Sequence, residues 1–171
     1  KRPKDEVDFL MNLLYNYLKD AEKTLAGENV VIRAIGSRAE LSEKIREQIA
    51  NTEEFTKNNT GIIMNIALNY GSREEITHAV KLIAERAVRG EIAPADITPD
   101  AVSDMLYTSG QPDPDLIIRT SNELRLSNFM MWQASYSELY FTDTLWPDFS
   151  VRDLHAAILE YQRRNRRYGG V

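Results

Sequence analysis

Asn58-Asn59-Thr60-Gly61-Ile62-Ile63-Met64-Asn65-Ile66-Ala67-Leu68 is the stretch on which the fold class turns. A polar turn hands over to a run that is almost continuously apolar, as expected of a short strand covered on both faces, and such strands belong to parallel sheets flanked by helices. Residues 62–68 are therefore expected to form a central parallel strand. Upstream, Val30-Val31-Ile32-Arg33-Ala34-Ile35 is rich in β-branched residues and stops at Gly36, which reads as a second strand. Between the two strands, residues 39–57 read as a helix anchored by Leu41, Ile45 and Ile49. Further upstream, Val7, Leu10, Met11, Leu14, Tyr17, Leu18 and Ala21 fall at spacings of three and four, so residues 4–25 form one amphipathic helix.

The alternation continues downstream. Ser72-Arg73-Glu74-Glu75 has the form of a capping box and opens a helix that should run to Gly90. Thr98-Pro99-Asp100 opens another, because proline at the first helical position gives up a donor that has no partner there. Asp115-Leu116-Ile117-Ile118-Arg119 is a short buried strand, residues 127–136 a helix, and Glu138-Leu139-Tyr140-Phe141 a last strand. Ser150-Val151-Arg152-Asp153 starts the final helix. Strands alternating with helices define an α/β fold with a mainly parallel central sheet flanked by helices. In sheets of this kind ligands bind beyond the carboxyl ends of the strands, which directs attention to Asn69, Arg119 and the segment 120–125.

At 171 residues, one domain spanning 1–171 is expected. Apolar residues make up 43% and charged residues 27%, a globular composition without low-complexity tracts. No apolar run reaches the roughly 20 residues needed to cross a bilayer. There is no cysteine, which rules out disulfides and thiolate metal sites and points to the cytoplasm. A net charge of −5 argues against general nucleic-acid binding, which needs a continuous basic surface. Positive charge is concentrated instead: Arg163, Arg164, Arg166 and Arg167 near the end, Arg119 and Arg125 in a segment of small and apolar residues. Small anionic ligands fit that pattern better than a polymer.

Arg119 closes an apolar strand at the ligand-binding edge, where a guanidinium fork matches two phosphate oxygens; the structural alternative is a pair with Asp115 or Glu123. Ser127 reads as a helix N-cap, and two arginines beside a helix N-terminus would suit a diphosphate. Glu138 starts an otherwise apolar strand and is held at a fixed point, and a carboxylate beside diphosphate implies magnesium. Read alone, it is as well an exposed charge at a strand end. Asp148 reads as a turn residue, and His78 and His155 as ordinary surface positions with no partner at zinc spacing. No nucleotide-binding glycine loop and no nucleophile elbow occurs.

The run from Asp115 through Arg119, Arg125, Ser127 and Phe129 to Trp132-Gln133, Ser137-Glu138-Leu139-Tyr140-Phe141 and Trp146-Pro147-Asp148-Phe149 resembles the C-terminal signature of cis-prenyltransferases of the undecaprenyl diphosphate synthase type. Met64-Asn65-Ile66-Ala67-Leu68-Asn69-Tyr70-Gly71, Arg2-Pro3 with Glu6-Val7, and Arg166-Arg167-Tyr168-Gly169-Gly170 agree in order, so the resemblance spans the chain. It implies condensation of isopentenyl diphosphate onto an allylic, farnesyl-type diphosphate, repeated with a cis double bond each time, to make the long undecaprenyl carrier lipid of cell-wall synthesis. By the same resemblance Arg2, Arg119, Arg125, Leu126 and Ser127 hold the diphosphate. Arg166, Arg167, Gly169 and Gly170 reach toward that site in a homodimer. Glu138 would be the catalytic metal ligand, for Mg2+. The growing chain would run into an apolar tunnel with Leu10, Leu13, Leu14, Val30, Ile32, Ile62, Met64 and Ile66 as candidates; periodicity alone makes them core. Transient contact with a membrane surface would serve product release.

Family members begin with an Asp-Gly-Asn-x-Arg-Trp segment carrying a metal-binding aspartate, followed by Ser-x-x-Asn-Trp, and neither stands in this sequence. The expectation is a fragment lacking the N-terminal strands and active-site loop, inactive by itself. Asn122 and Ser72 stand where the family commonly has glycine, so either could strain a loop that needs unusual backbone angles. The alternative function is a non-catalytic prenyltransferase-like subunit that supports a catalytic partner.

Overall fold

The computed structural model describes residues 3–25 and 27–165, and its chain groups into two compact units, 1–70 and 71–171. In the first, helix α1 (Lys4–Thr24) precedes strand β1 (Val30–Ile35), helix α2 (Glu43–Thr56) and strand β2 (Ile62–Ala67). Strands β1 and β2 pair in parallel, with Val30 opposite Ile62, Ile32 opposite Met64 and Ala34 opposite Ile66. The core of this unit is Leu18 from α1 with Leu41, Ile45 and Ile49, against which Met11, Leu14, Ala34, Ile66 and Leu68 pack. From the α1 stripe Met11, Leu14 and Leu18 reach this core, as a repeat of three to four residues predicts, whereas Val7, Leu10 and Tyr17 of the same stripe are exposed. Helix α2 begins at Glu43 behind Ser42, four residues later than the apolar pattern suggested.

The outer edge of β1 does not meet a strand among the described residues. Its backbone is satisfied by side chains of α2 and the loops: Thr56 Oγ1 accepts from Ile32 N–H at 3.0 Å, Glu53 Oε1 from Ala34 N–H at 2.9 Å, and Asn59 Nδ2 donates to the Val30 carbonyl at 2.7 Å. Buried backbone groups must find such partners, and here a helix covers the edge with polar groups. At the carboxyl end, Gly36 sits at φ +114°, and a side-chain carbon there would meet the Leu68 carbonyl oxygen at 2.1 Å, so only glycine fits. Strand β2 departs from the expectation of two covered faces. Ile62 is 74% exposed, and Ile63 and Met64 are exposed as well. Apolarity marks a strand that prefers burial; it does not by itself supply the neighbour that buries it.

The second unit holds helix α3 (Ser72–Val88), the short helix α4 (Pro99–Ser103), strand β3 (Leu116–Arg119), strand β4 (Glu138–Phe141) and helix α5 (Val151–Arg163). Strands β3 and β4 are also parallel, Leu116 opposite Glu138 and Arg119 opposite Phe141. The α/β class with parallel strands is as expected, in two strand pairs. Thr98 caps α4, its hydroxyl accepting from Ala101 N–H at 3.2 Å. At the start of α5 the Asp153 carboxylate accepts from the Ser150 hydroxyl and, at 2.8 Å, from Ser150 N–H; the hydroxyl first and then the N–H hold Asp153 below the usual carboxylate range.

Two expected elements are different. Ser72 is not the cap of α3: Gly71 occupies that place, and both Ser72 and Glu75 are fully buried. The Ser72 hydroxyl accepts from Met131 N–H at 3.0 Å, while Glu75 accepts from Tyr107 N–H at 2.9 Å and from Gln133 Nε2. Long-range partners thus take the groups that a local capping box would have used. Ser72 lies in helical backbone, so replacing glycine there brings no strain, whereas Asn122 does adopt the left-handed conformation, at φ +53°. The helix expected at 127–136 is absent. Ser127, Asn128 and Met130 are at φ +50°, +65° and +45°, and only Gln133–Tyr136 makes a 3-10 turn. Left-handed residues cannot continue an α-helix, so Ser127 is not an N-cap and offers no helix dipole.

Candidate diphosphate site

Parallel strands need a long connection, and between β3 and β4 it is the irregular segment 120–137. Its first part is fixed by the backbone. Thr142 N–H donates to the Arg119 carbonyl, Asn122 N–H to that of Thr142 and Ser121 N–H to that of Thr144, all at 2.9 Å. Arg119 therefore leaves the carboxyl end of β3 from a rigid position. Its side chain is half-buried and has no hydrogen bond or ion pair among the described residues. A half-buried guanidinium without a carboxylate keeps its five N–H donors available to a ligand, and neither Asp115 nor Glu123 takes it.

Glu123 pairs instead with the exposed Arg125. Leu126 and Ser127 follow, and Phe129 N–H donates to the Leu126 carbonyl at 3.0 Å, closing a four-residue turn with Ser127 and Asn128 at its centre. Positive φ at both central residues is the pattern of a type I′ turn. Among the described residues, the N–H groups of Leu126 and Ser127 have no acceptor. A free guanidinium, a second arginine and unspent amides can together bind an anion with several oxygens.

Glu138 is not brought to this group. The register places it opposite Leu116, three residues from Arg119, or about 10 Å along the strand. Three residues is also an odd step, so the two side chains leave opposite faces of the β3–β4 pair. The Glu138 carboxylate is held by Arg164, whose Nη1 donates to Oε2 at 2.8 Å and to the Leu139 carbonyl at 2.9 Å. That hydrogen bond pushes the Arg164 guanidinium above its usual range. No three His, Cys, Asp or Glu side chains gather into a metal site among the described residues. One carboxylate, engaged by arginine and remote from Arg119, does not by itself fit magnesium.

Arg2, Arg166, Arg167, Gly169 and Gly170 lie outside the described residues. Of the tunnel candidates, the β1–β2 register puts Val30, Ile32, Ile62, Met64 and Ile66 on one face. Ile32 is buried and Leu14 packs on the core, while Leu10, Leu13, Ile62 and Met64 are exposed. Leu10 also lines a cavity of about 820 Å3 between α1 and the start of α2. His155 is exposed, and His78, also exposed, stacks on Tyr107. Asp148 ends a 3-10 turn. Sequence reasoning placed Arg164 in a basic cluster suited to anionic ligands, not on Glu138, and passed over Asn128. The repeated Ser-Asn pair, 121–122 and 127–128, was a signal, because asparagine tolerates left-handed turns.

No helix among the described residues is long and apolar enough to cross a membrane. The sequence model of one family, described as "Putative undecaprenyl diphosphate synthase", matches residues 1–169. An isoprenyl transferase of Geobacillus kaustophilus is 52% identical over 171 residues, covering 100% of this chain and 66% of its own length. One from Streptococcus pneumoniae is 52% identical over 174 residues, covering 99% and 69%. The chain thus spans about two thirds of the length of these relatives. Among solved structures, lavandulyl diphosphate synthase from Lavandula x intermedia, in complex with dimethylallyl diphosphate, superposes with a TM-score of 0.95 at 36% identity, covering 99% of this chain and 74% of that one. A probable undecaprenyl diphosphate synthase from Campylobacter jejuni gives 0.86 at 37%, covering 99% and 77%. With the family match running almost from end to end and half of the residues shared with isoprenyl transferases, the chain belongs to the undecaprenyl diphosphate synthase family of prenyltransferases.

Proposed function

We propose that this chain carries the isopentenyl diphosphate site of a cis-prenyltransferase, which adds isopentenyl diphosphate to an allylic diphosphate and repeats the addition to an undecaprenyl-type product for the cell-wall carrier lipid. The observation that carries the reading is Arg119, half-buried at the carboxyl end of β3 with no acidic partner among the described residues. In this reading its guanidinium takes two oxygens of the isopentenyl diphosphate. Arg125 releases Glu123 to take another, and Leu126 and Ser127 add backbone donors. These groups fix the substrate by its charged end and orient its alkene toward the allylic carbon, the entropic part of catalysis. The five residues on one face of β1 and β2, with Leu10, Leu13 and Leu14, are proposed to accompany the growing apolar chain. A homodimer working in the cytoplasm, with transient membrane contact, belongs to the same proposal. Magnesium at Glu138 would share the carboxylate with Arg164, which takes Oε2. A supporting subunit without catalysis is the weaker reading, because it has no use for an arginine kept apart from every carboxylate among the described residues.

The test is Arg119→Ala in protein of the relatives' full length. Loss of a hydrogen-bonded charge contact predicts a rise in KM for isopentenyl diphosphate of roughly 10- to 100-fold. Unchanged steady-state kinetics would remove the proposed site.

A further inference from the structure

We infer that Asn128 is a positioning residue, which holds the Arg125–Ser127 segment in its binding shape by capping helix α3 from outside. The inference rests on the reading of that segment as a diphosphate site. Helix α3 has a glycine at its N-cap and no side-chain cap of its own. Asn128, 55 residues away, supplies what is missing: its side-chain Oδ1 accepts from Arg73 N–H at 2.9 Å and its carbonyl from Ser72 N–H at 2.8 Å. A third bond in the opposite sense, Met131 N–H to the Ser72 hydroxyl at 3.0 Å, completes the clamp. Ser72 is fully buried, so this last contact is shielded from water.

The clamp acts where the backbone most needs it. Ser127 and Asn128 occupy the centre of the turn, both in left-handed backbone, which non-glycine residues hold only when their surroundings impose it. Asparagine suits the place because it tolerates that conformation and carries a capping oxygen. Gly71 leaves room for it, since a side-chain carbon there would come within 2.7 Å of Asn128 Nδ2. Ser127 is the adjacent residue and Arg125 is three back, so a slack turn would move both away from the ligand. Asn128 itself need not touch the substrate.

The experiment compares Asn128→Gly, which keeps the backbone conformation and loses the capping oxygen, with Asn128→Asp, which keeps both, in full-length protein. Loss of one hydrogen bond to a helix N-terminus predicts about a tenfold rise in KM for isopentenyl diphosphate with Asn128→Gly. The KM for the allylic diphosphate should stay within about twofold, and Asn128→Asp should restore the wild-type value, its charge being favourable at a helix start. If Asn128→Gly leaves the isopentenyl diphosphate KM unchanged, or raises both KM values alike, while Arg119→Ala raises that of isopentenyl diphosphate alone, Asn128 has no positioning role. Should Arg119→Ala also leave it unchanged, the diphosphate reading fails and this inference with it.

Discussion

The two parallel strand pairs are joined in contrasting ways. From β1 to β2 the chain passes through a regular helix, α2, seated by Leu41, Ile45 and Ile49 on an apolar core. From β3 to β4 it passes through turns with left-handed residues, anchored by polar contacts: Asn128 on the start of α3, Met131 on Ser72, and Gln133 on Glu75 and Thr108. Gln133 is 2% exposed, and its Oε1 is buried without a partner among the described residues. Apolar packing is non-directional and supports a regular element. Hydrogen bonds are directional and can hold a backbone in a shape it would not otherwise keep. The contrast suggests one connection built for stability and one built for geometry.

The largest test of that contrast is Ile49→Ala. Ile49 is 1% exposed, and truncating such a residue costs about 2–5 kcal/mol. Chemical denaturation should show that loss, with no selective change in binding of isopentenyl diphosphate. A destabilisation below about 1 kcal/mol would mean that the first connection does not depend on its apolar anchor. Next comes Glu75→Ala, which takes the acceptor from the Tyr107 N–H and one of two acceptors from the Gln133 amide, Thr108 being the other, and should cost roughly 1–3 kcal/mol. Amide exchange should then quicken across residues 125–135 and stay unchanged in α2. Equal acceleration in both would erase the distinction between them.

The smallest effect is a pH dependence beside the same polar cluster. Burial, then the charge of Glu74 and its hydrogen bond, push the Tyr107 phenol up from 10.0 to about 12. Its neutral form is therefore preferred in the folded chain. The contribution is present in full below pH 10.0 and lost as pH rises through about 12, because the unfolded chain ionises first. Ultraviolet titration should find one tyrosine ionising late, and Glu74→Gln should bring it back toward the ordinary range. A Tyr107 that titrates normally would remove the case for its burial against Glu74.

How much of this was legible depends on the range of the forces involved. Helices α1 and α2 follow from periodicity, the four strands from short apolar runs, α4 from Pro99 at its first position, and α5 from Ser150 and Asp153, whose contact spans three residues; α3 lies where expected but without the capping box that predicted it. Arg119 at the end of an apolar strand was equally plain. Ser72 and Glu75 were misread because they fit a local rule, yet their partners lie 59 and 58 residues away. The helix expected at 127–136 failed for the same reason: Ser127 fits a local cap rule, but tethers to α3 hold its neighbour Asn128 in a left-handed turn.

The amino-acid sequence alone determined the order of the strands and of helices α1 to α5, the α/β class, most of the first unit's core residues and the family, because those depend on side-chain type and short spacings. Only the tertiary structure decided which groups share a site. It separated Glu138 from Arg119 through strand register, gave Glu138 to Arg164, and set Asn128 on a distant helix. Register and long-range hydrogen bonds arise between segments far apart in the chain, so no local pattern encodes them.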